Sequence, residues 1–353
     1  MELPKLVTGP WTLKDLKEGK IGSPKHGLKV FSCFHCGGGS TMGYKLAGFD
    51  VLGGVEIDPE MMQIYKTNHN PKYSYLMGVQ DFKNIPNSEL PDELFDLDIL
   101  DGSPPCSSFS MAGAREKAWG EKKKFREGQA EQVLDDLFFH FIDVARKLKP
   151  KIVVAENVKG LIQGNARGYV KEIFRSYKDA GYEVQLFLLN ASLMGVPQAR
   201  ERTFFIARRN DLSLPKLILN FEESRITVAQ AIQSVAIPTE KQKIAPSFEQ
   251  YWKKALPGQT IGQAAGVEGK WFGYIKSNPN KPANTLASAR GDKVYHWKEW
   301  RALYSSEWTR LQSFPEDFDF LTQKEKDRKY IIGMSVPPFM MQRVASKIAE
   351  KLL

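Results

Sequence analysis

The chain has 353 residues, 42% of them hydrophobic and 26% charged, which suits a well-cored globular protein with one large domain or one large and one small. Its formal net charge of +9 favours a polyanionic partner such as nucleic acid. No apolar run reaches the roughly 18 residues of a membrane span, the opening Met-Glu-Leu-Pro-Lys has no signal-peptide pattern, and three cysteines (Cys33, Cys36, Cys106) cannot build a disulfide framework, so a cytoplasmic protein with no membrane partner is expected.

Residues 1–27 are polar, carry Pro and Gly, and read as an irregular arm. Residues 28–34 form the first strand, which runs into a cluster at Gly37, Gly38 and Gly39 and then a helix to about Ala47. A second strand follows at 51–56, then a helix from Pro59, where proline suits a first helical position. Short strands are expected at 73–77 and 95–100. Gly102, Ser103, Pro104 and Pro105 stop the latter strand and aim Cys106, because proline fixes φ and donates no backbone hydrogen bond.

Residues 111–130 break the pattern. They hold Arg115, Lys117, Lys122, Lys123, Lys124 and Arg126 against Glu116, Glu121 and Glu127, with Trp119 and Phe125 interleaved, and read as a long loop of the kind that closes over a site. Helical spacing resumes over 131–148. A strand at 151–155 ends in Glu156-Asn157-Val158; a helix near 168–180 and strands at 182–189 and 203–207 follow. This alternation predicts an α/β fold with a mostly parallel sheet covered on both faces. Residues 210–282 are irregular, rich in Pro, Gly, Gln and Lys, and read as a second, smaller unit that 282–320 closes. The last helix is expected from Pro338 to the end of the chain.

Ligands of open α/β sheets bind beyond the carboxyl ends of the strands. Five such ends carry suggestive residues here: the glycine cluster, Glu56 with Ile57 and Asp58, Asp81-Phe82, Pro105-Cys106, and Glu156-Asn157. Glycines permit a tight turn and close approach to a ligand, although a purely structural turn would use them equally. A carboxylate after the second strand can accept from both ribose hydroxyls, and Asp81 from an exocyclic amine, so the pattern fits an adenosine-type cofactor. The Gly-x-Gly-x-x-Gly fingerprint is missing, which disfavours a dinucleotide. Cys33-x-x-Cys36 has no second ligand pair for zinc, so no metal is expected; a thiol-redox reading stays open.

At this point the chain resembles the DNA (cytosine-5)-methyltransferase family. Gly102-Ser103-Pro104-Pro105-Cys106-Ser107-Ser108-Phe109-Ser110 is similar to that family's nucleophile loop, Glu156-Asn157-Val158 to its Glu-Asn-Val motif, and Gln198-Ala199-Arg200-Glu201-Arg202 to its Gln-x-Arg-x-Arg motif. Residues 301–318, with Glu307, Arg310-Leu311-Gln312 and Phe314-Pro315, resemble its conserved block after the recognition region, and 333–338 its last motif. The resemblance implies a Rossmann-like class I methyltransferase fold: an arm (1–27), a catalytic S-adenosylmethionine-binding domain (28–209), a target-recognition region (210–300) and a returning segment (301–353).

It also implies roles. Cys106 would attack C6 of a cytosine flipped out of double-stranded DNA, because the target atoms lie inside the stack. Glu156 would bind the base, Arg200 and, as a second choice, Arg202 would orient it, and Asn157 would hold the loop after its strand. Phe34, Gly37, Gly38, Gly39, Glu56, Ile57, Asp81, Phe82, Pro105, Met334 and Ser335 would bind S-adenosylmethionine. Lys122, Lys123, Lys124, Arg126 and Gln198 would contact DNA, and a monomer is expected. The chain departs from the family pattern where Ser32 replaces Asp, Cys36 replaces Gly, Ser107 follows the nucleophile in place of Gln, and Met334 replaces Asn. Those departures keep three alternatives in view: a tRNA cytosine methyltransferase, transfer of a modified group from an altered S-adenosyl cofactor, and a catalytically silent DNA-binding homologue.

Overall fold

The computed structural model describes residues 5–105, 122–123, 132–133, 136–163, 167–238, 246–267, 270–271, 273–288 and 293–353. A short helix α1 (Leu13–Lys17) precedes β1 (Lys29–Cys33), α2 (Gly39–Leu46), β2 (Asp50–Glu56), α3 (Pro59–His69), β3 (Tyr73–Leu76), α4 (Val79–Phe82) and β4 (Ile99–Gly102). Two-residue strands β5 (Lys122–Lys123) and β6 (Gln132–Val133) pair antiparallel. They are followed by α5 (Leu137–Leu148), β7 (Ile152–Val158), α6 (Arg167–Asp179), β8 (Tyr182–Asn190) and β9 (Glu201–Arg209). Seven strands make one sheet in the order β3-β2-β1-β4-β7-β9-β8, parallel except for β9.

Alternate residues of the central strands go to opposite faces, and both faces are covered. Val30, Ile99, Ile152, Val154, Phe204 and Ile206 pack on one side with α2 and a C-terminal helix. Phe31, Leu100, Val153, Ala155, Phe205 and Ala207 pack on the other with α4, α5 and α6. The strand order reverses between β1 and β4, which opens a crevice at their carboxyl ends.

Beyond β9 come α7 (Val228–Ile232), α8 (Glu249–Lys254), α9 (Ile261–Ala264), the parallel pair β10 (Ile275–Lys276) and β11 (Val294–Tyr295), α10 (Ser305–Leu311), α11 (Glu325–Met334) and α12 (Pro338–Leu352). Leu217, Val228 and Ile232 join the main core, whereas Trp252, Ala255, Ile261, Tyr295 and Ala302 form a separate small one. α12 lies so close on α2 that a Cβ on Gly43 would come within 2.4 Å of Met341 Cβ.

Three expectations move. The fourth strand starts at Ile99, not 95, because Asp96 and Asp98 are drawn off to Lys29: its ammonium pairs with Asp96 at 2.7 Å and its N–H donates to Asp98 at 2.7 Å. The helix expected from 131 begins at Leu137, with Gln132–Val133 paired to Lys122–Lys123 instead. The amino-terminal segment is irregular but not loose. Trp11 is buried with its Nε1–H donating to the Ser313 carbonyl at 2.9 Å, and Asp317 accepts from the N–H groups of Leu13 and Lys14 at the start of α1.

Candidate active site

β1 ends at Cys33, and the chain turns through Phe34 and Cys36, both at positive φ (56° and 49°), before Gly38 at φ 91° caps α2. A Cβ on Gly38 would fall 2.1 Å from His69 Nε2, and one on Gly39 2.2 Å from the Val336 carbonyl oxygen. The turn is therefore wedged between α3 and the segment after α11, which opens with buried Ser335; Met334, 39% exposed, ends α11. The His35 ring stacks on Tyr65 at 3.7 Å, and burial pushes it down to about 4, so it is neutral. The first-turn N–H groups of α2 lack intrahelical acceptors and point to where a carboxylate could sit.

Glu56 closes β2. Its Oε2 accepts from the Cys36 N–H at 2.9 Å, and its Oε1 from the N–H groups of Ile57 and Asp58 at 2.9 and 3.0 Å. A carboxylate offers about four acceptor positions, so about one is left, on Oε2, rather than a pair for two hydroxyls. Burial pushes the Glu56 carboxyl up and the three N–H bonds pull it back. Ile57 is half-buried beside it, and the Met77 N–H donates to the Glu56 carbonyl at 3.0 Å, which brings the end of β3 alongside. Asp81 is exposed on α4. Phe82 is a correction: it is fully buried, stacked on Phe31 with centroids 5.5 Å apart, and belongs to the core, not to a ligand-facing surface.

Glu156 and Asn157 lie on β7, opposite Phe204 and Thr203 of β9. Both are buried, and Arg202 Nε stands 2.9 Å from Glu156 Oε1. The Asn157 Nδ2–H donates to the Pro104 carbonyl at 2.9 Å and its Oδ1 accepts from the Val158 N–H at 2.8 Å, so it ties the turn after β4 to the end of its own strand. The two arginines exchange their expected ranks. Arg202 meets Glu156, while buried Arg200 donates to the carbonyls of Leu286 and Gly333, each at 3.1 Å, and ties two distant segments to the motif. Gln198 is also corrected: it is fully buried, accepting from Leu286 N–H and donating to Leu311 and Gln312, with no amide atom left for DNA. Its polar character suggested a surface role, but its amide organises the loop.

Pro105 is half-buried at the end of the β4 turn. Cys106, Lys124 and Arg126 lie outside the described residues, and Lys122 and Lys123 enter as the backbone of β5. Among the described residues no group of three or more His, Cys, Asp or Glu could hold a metal, and no helix is long and apolar enough to cross a membrane. Cys33 is buried and Cys36 half-buried, both unpaired thiols that burial pushes up, Cys36 to about 12.

Sequence reasoning passed over Asp101, buried on β4 with the Ser32 hydroxyl donating to it at 2.7 Å. The available signal was an acid inside an apolar strand run. It also passed over a cleft of about 780 Å³ beside Asn190 at the end of β8 and Ala199 just before β9. Arg225, Thr227, Thr260, Asn280 and Lys281 line the cleft with no acidic side chain among the described residues. A second cavity, of about 890 Å³, lies at the opposite edge of the sheet, between the amino-terminal segment and the starts of β1 and β2.

The model of the family described as C-5 cytosine-specific DNA methylase matches residues 28–350. Among curated proteins, the chain is 28% identical over 351 residues to the type II methyltransferase M.NgoPII of Neisseria gonorrhoeae, covering 92% of this chain and 96% of that one. It is 30% identical over 346 residues to M1.HphI of Haemophilus parahaemolyticus, covering 92% and 87%. Among solved structures, a prophage-encoded DNA modification methyltransferase of E. coli superposes with a TM-score of 0.67 at 21% identity, over 92% of this chain and 99% of that one.

Proposed function

The chain belongs to the C-5 cytosine-specific DNA methylase family, and from that premise we propose that it methylates C5 of a flipped cytosine within a specific sequence of duplex DNA. The family's methyl donor is S-adenosylmethionine, which supplies an electrophilic methyl group. The donor set at the strand ends suits such a ligand. Half-buried Phe34 and Ile57 would pack on its adenine, the free acceptor position of Glu56 would take a ribose hydroxyl, and Asp81 would take the exocyclic amine. The opening turn of α2 would receive its carboxylate.

C5 of cytosine is a weak nucleophile. The thiolate of Cys106 would add at C6 and make C5 enamine-like, so that C5 could take the donor's methyl group; C5 would then lose its proton and Cys106 would leave. Glu156 would present Oε2 to the N3/N4 edge of the base while Arg202 holds Oε1. Asn157 would aim Cys106 by holding Pro104. Arg200, bonded to main-chain carbonyls on both sides, is assigned a positioning role. Residues 210–300 would read the sequence, with DNA seated along the acid-free cleft, where positive and amide groups suit phosphates and base edges. Lys122 to Lys124 and Arg126 would meet phosphates as their loop closes.

The observation that carries this reading is the Glu156–Arg202 pair next to the Asn157-clamped turn that leads into Cys106. The test is expression in a host free of cytosine methylation, followed by sequencing of its DNA for modified cytosines. Wild type is expected to leave 5-methylcytosine in one sequence context, and Cys106→Ser none. Label from S-adenosylmethionine entering tRNA but not DNA would move the substrate to tRNA. Failure to trap a covalent adduct on 5-fluorocytosine DNA would make the chain a silent homologue, and a mass other than 5-methylcytosine would indicate an altered donor.

A further inference from the structure

Asp101 is a fully buried carboxyl that the scheme above leaves unused. It is 1% exposed and sits on β4 directly opposite Ser32 of β1. Ser32 Oγ–H donates to Oδ2 at 2.7 Å and Tyr44 O–H to Oδ1 at 3.3 Å. Ser40, in the first turn of α2, adds a third hydroxyl donor. Among the described residues, what bears most on its charge is burial, three hydroxyls and the Glu156 carboxylate, with no cation among them. Buried carboxylates are ordinarily paired with one. Glu156, by contrast, has Arg202 at 2.9 Å.

The resemblance adds a second observation. The family pattern has an aspartate where this chain has Ser32, and here a carboxyl comes instead from the facing residue of the neighbouring strand. That carboxyl lies between β1, β4 and α2. That place underlies the crevice at the strand-order reversal, where ligands of such sheets bind. The family's donor carries a sulfonium cation, and the product left after methyl transfer is a neutral thioether. A low-dielectric surround makes one uncompensated charge count at a distance.

We propose that Asp101 is a positioning residue that supplies the counter-charge for the sulfonium of S-adenosylmethionine and so makes the protein prefer the charged donor over S-adenosylhomocysteine. The proposal rests on the family's cofactor and is independent of the role given to Cys106. Burial pushes the Asp101 carboxyl up to about 7, and neighbouring Glu156 adds to the rise. The other titratable groups facing it are Cys33 on β1, Tyr44 on α2 and Tyr65 on α3, each pushed up by burial and so protonated near neutrality. A bound cation favours the ionised carboxyl, so donor affinity gains from this source as pH rises through about 7 and levels off above it. The neutral product gains nothing.

The test is calorimetric titration of the full chain with S-adenosylmethionine and S-adenosylhomocysteine separately, from about pH 5.5 to about pH 8.5. Wild type and Asp101→Asn are compared at each pH, which cancels the titration of the ligands' own amino groups. The expected result is a donor-over-product preference about tenfold lower in the variant at the alkaline end, converging with wild type at the acid end, with product affinity changed less than about twofold. A double variant, Ser32→Asp with Asp101→Ser, returns the carboxyl to strand one and is expected to regain the preference; it decides the matter if the single variant folds poorly. Equal loss of both ligands would reduce Asp101 to a structural mooring of α2 and overturn the proposal, as would an unchanged preference in Asp101→Asn or none in the double variant. Wild type that binds neither ligand would overturn the cofactor assignment along with it.

Discussion

The sheet and the unit between residues 246 and 302 hold themselves together by different means. The sheet buries two complete aliphatic and aromatic layers, and its strand ends need no further support to present Glu156, Arg202 and Asn157. Among the described residues the smaller unit has its own core of five buried apolar residues and two strands of two residues each. It relies on rings and one buried lysine. Lys276 sits 4.3 Å over the Trp252 ring and donates to the carbonyls of Trp252 and Ala255, while Trp252 Nε1–H donates to the His296 carbonyl at 3.0 Å. Its attachments to the sheet run through Ala283 and Leu286, gripped by Ala199, Gln198 and Arg200. Chemistry is thus mounted on a rigid layer, and the adjoining unit on a few specific ties that leave its outer surface free to differ.

Substitutions can break that division. Glu156→Gln removes the charge proposed to face the base. Methyl transfer to DNA should fall about a thousandfold, with S-adenosylhomocysteine binding unchanged by calorimetry. Loss of cofactor binding would mean that the two strand-end functions are not separable. Phe204→Ala empties a fully buried position in the sheet and should cost about 4 kcal/mol in urea unfolding, with both regions lost together. Trp252→Ala should cost about 3 kcal/mol, confined to its own unit. Amides of 248–302 should exchange faster and DNA binding should weaken while cofactor binding persists. Equal acceleration of exchange across the sheet would show that the small unit is part of one cooperative core.

The same contrast explains what could be read from the sequence. β1, β2 and β7 are nearly continuous apolar runs bounded by Gly, Pro or charged residues, so their positions and the residues at their ends were legible. Elements of the small unit are four to six residues long or shorter, and tertiary contacts, not periodicity, define them. Polar residues misled where the fold uses them internally. Gln198 and Arg200 looked like surface or base contacts and are loop anchors. Register was the other limit: Asp96 and Asp98 alternate as a strand should, but their carboxylates go to Lys29, and the strand begins at Ile99. Neither the Ser32–Asp101 partnership nor the Asn157–Pro104 bond has a local signature, since each joins residues more than fifty positions apart.

The amino-terminal segment is a third case, built of neither layers nor rings. Val7 N–H donates to Gln342 Oε1 at 3.1 Å, the Val7 carbonyl accepts from Arg343 at 2.8 Å, and Asp317 accepts from the first two N–H groups of α1. A five-residue helix cannot sustain itself, because nucleation fixes several residues for each hydrogen bond gained. It persists because Trp11 and Leu13 are buried and a carboxylate satisfies its opening donors. Asp317 is exposed, so its loss is screened. Asp317→Ala should lower stability by about 1 kcal/mol and speed exchange at Leu13 and Lys14, with catalysis unaffected. If exchange there were unchanged, Trp11 alone would be holding the segment, and its order would follow from apolar burial as the sheet's does.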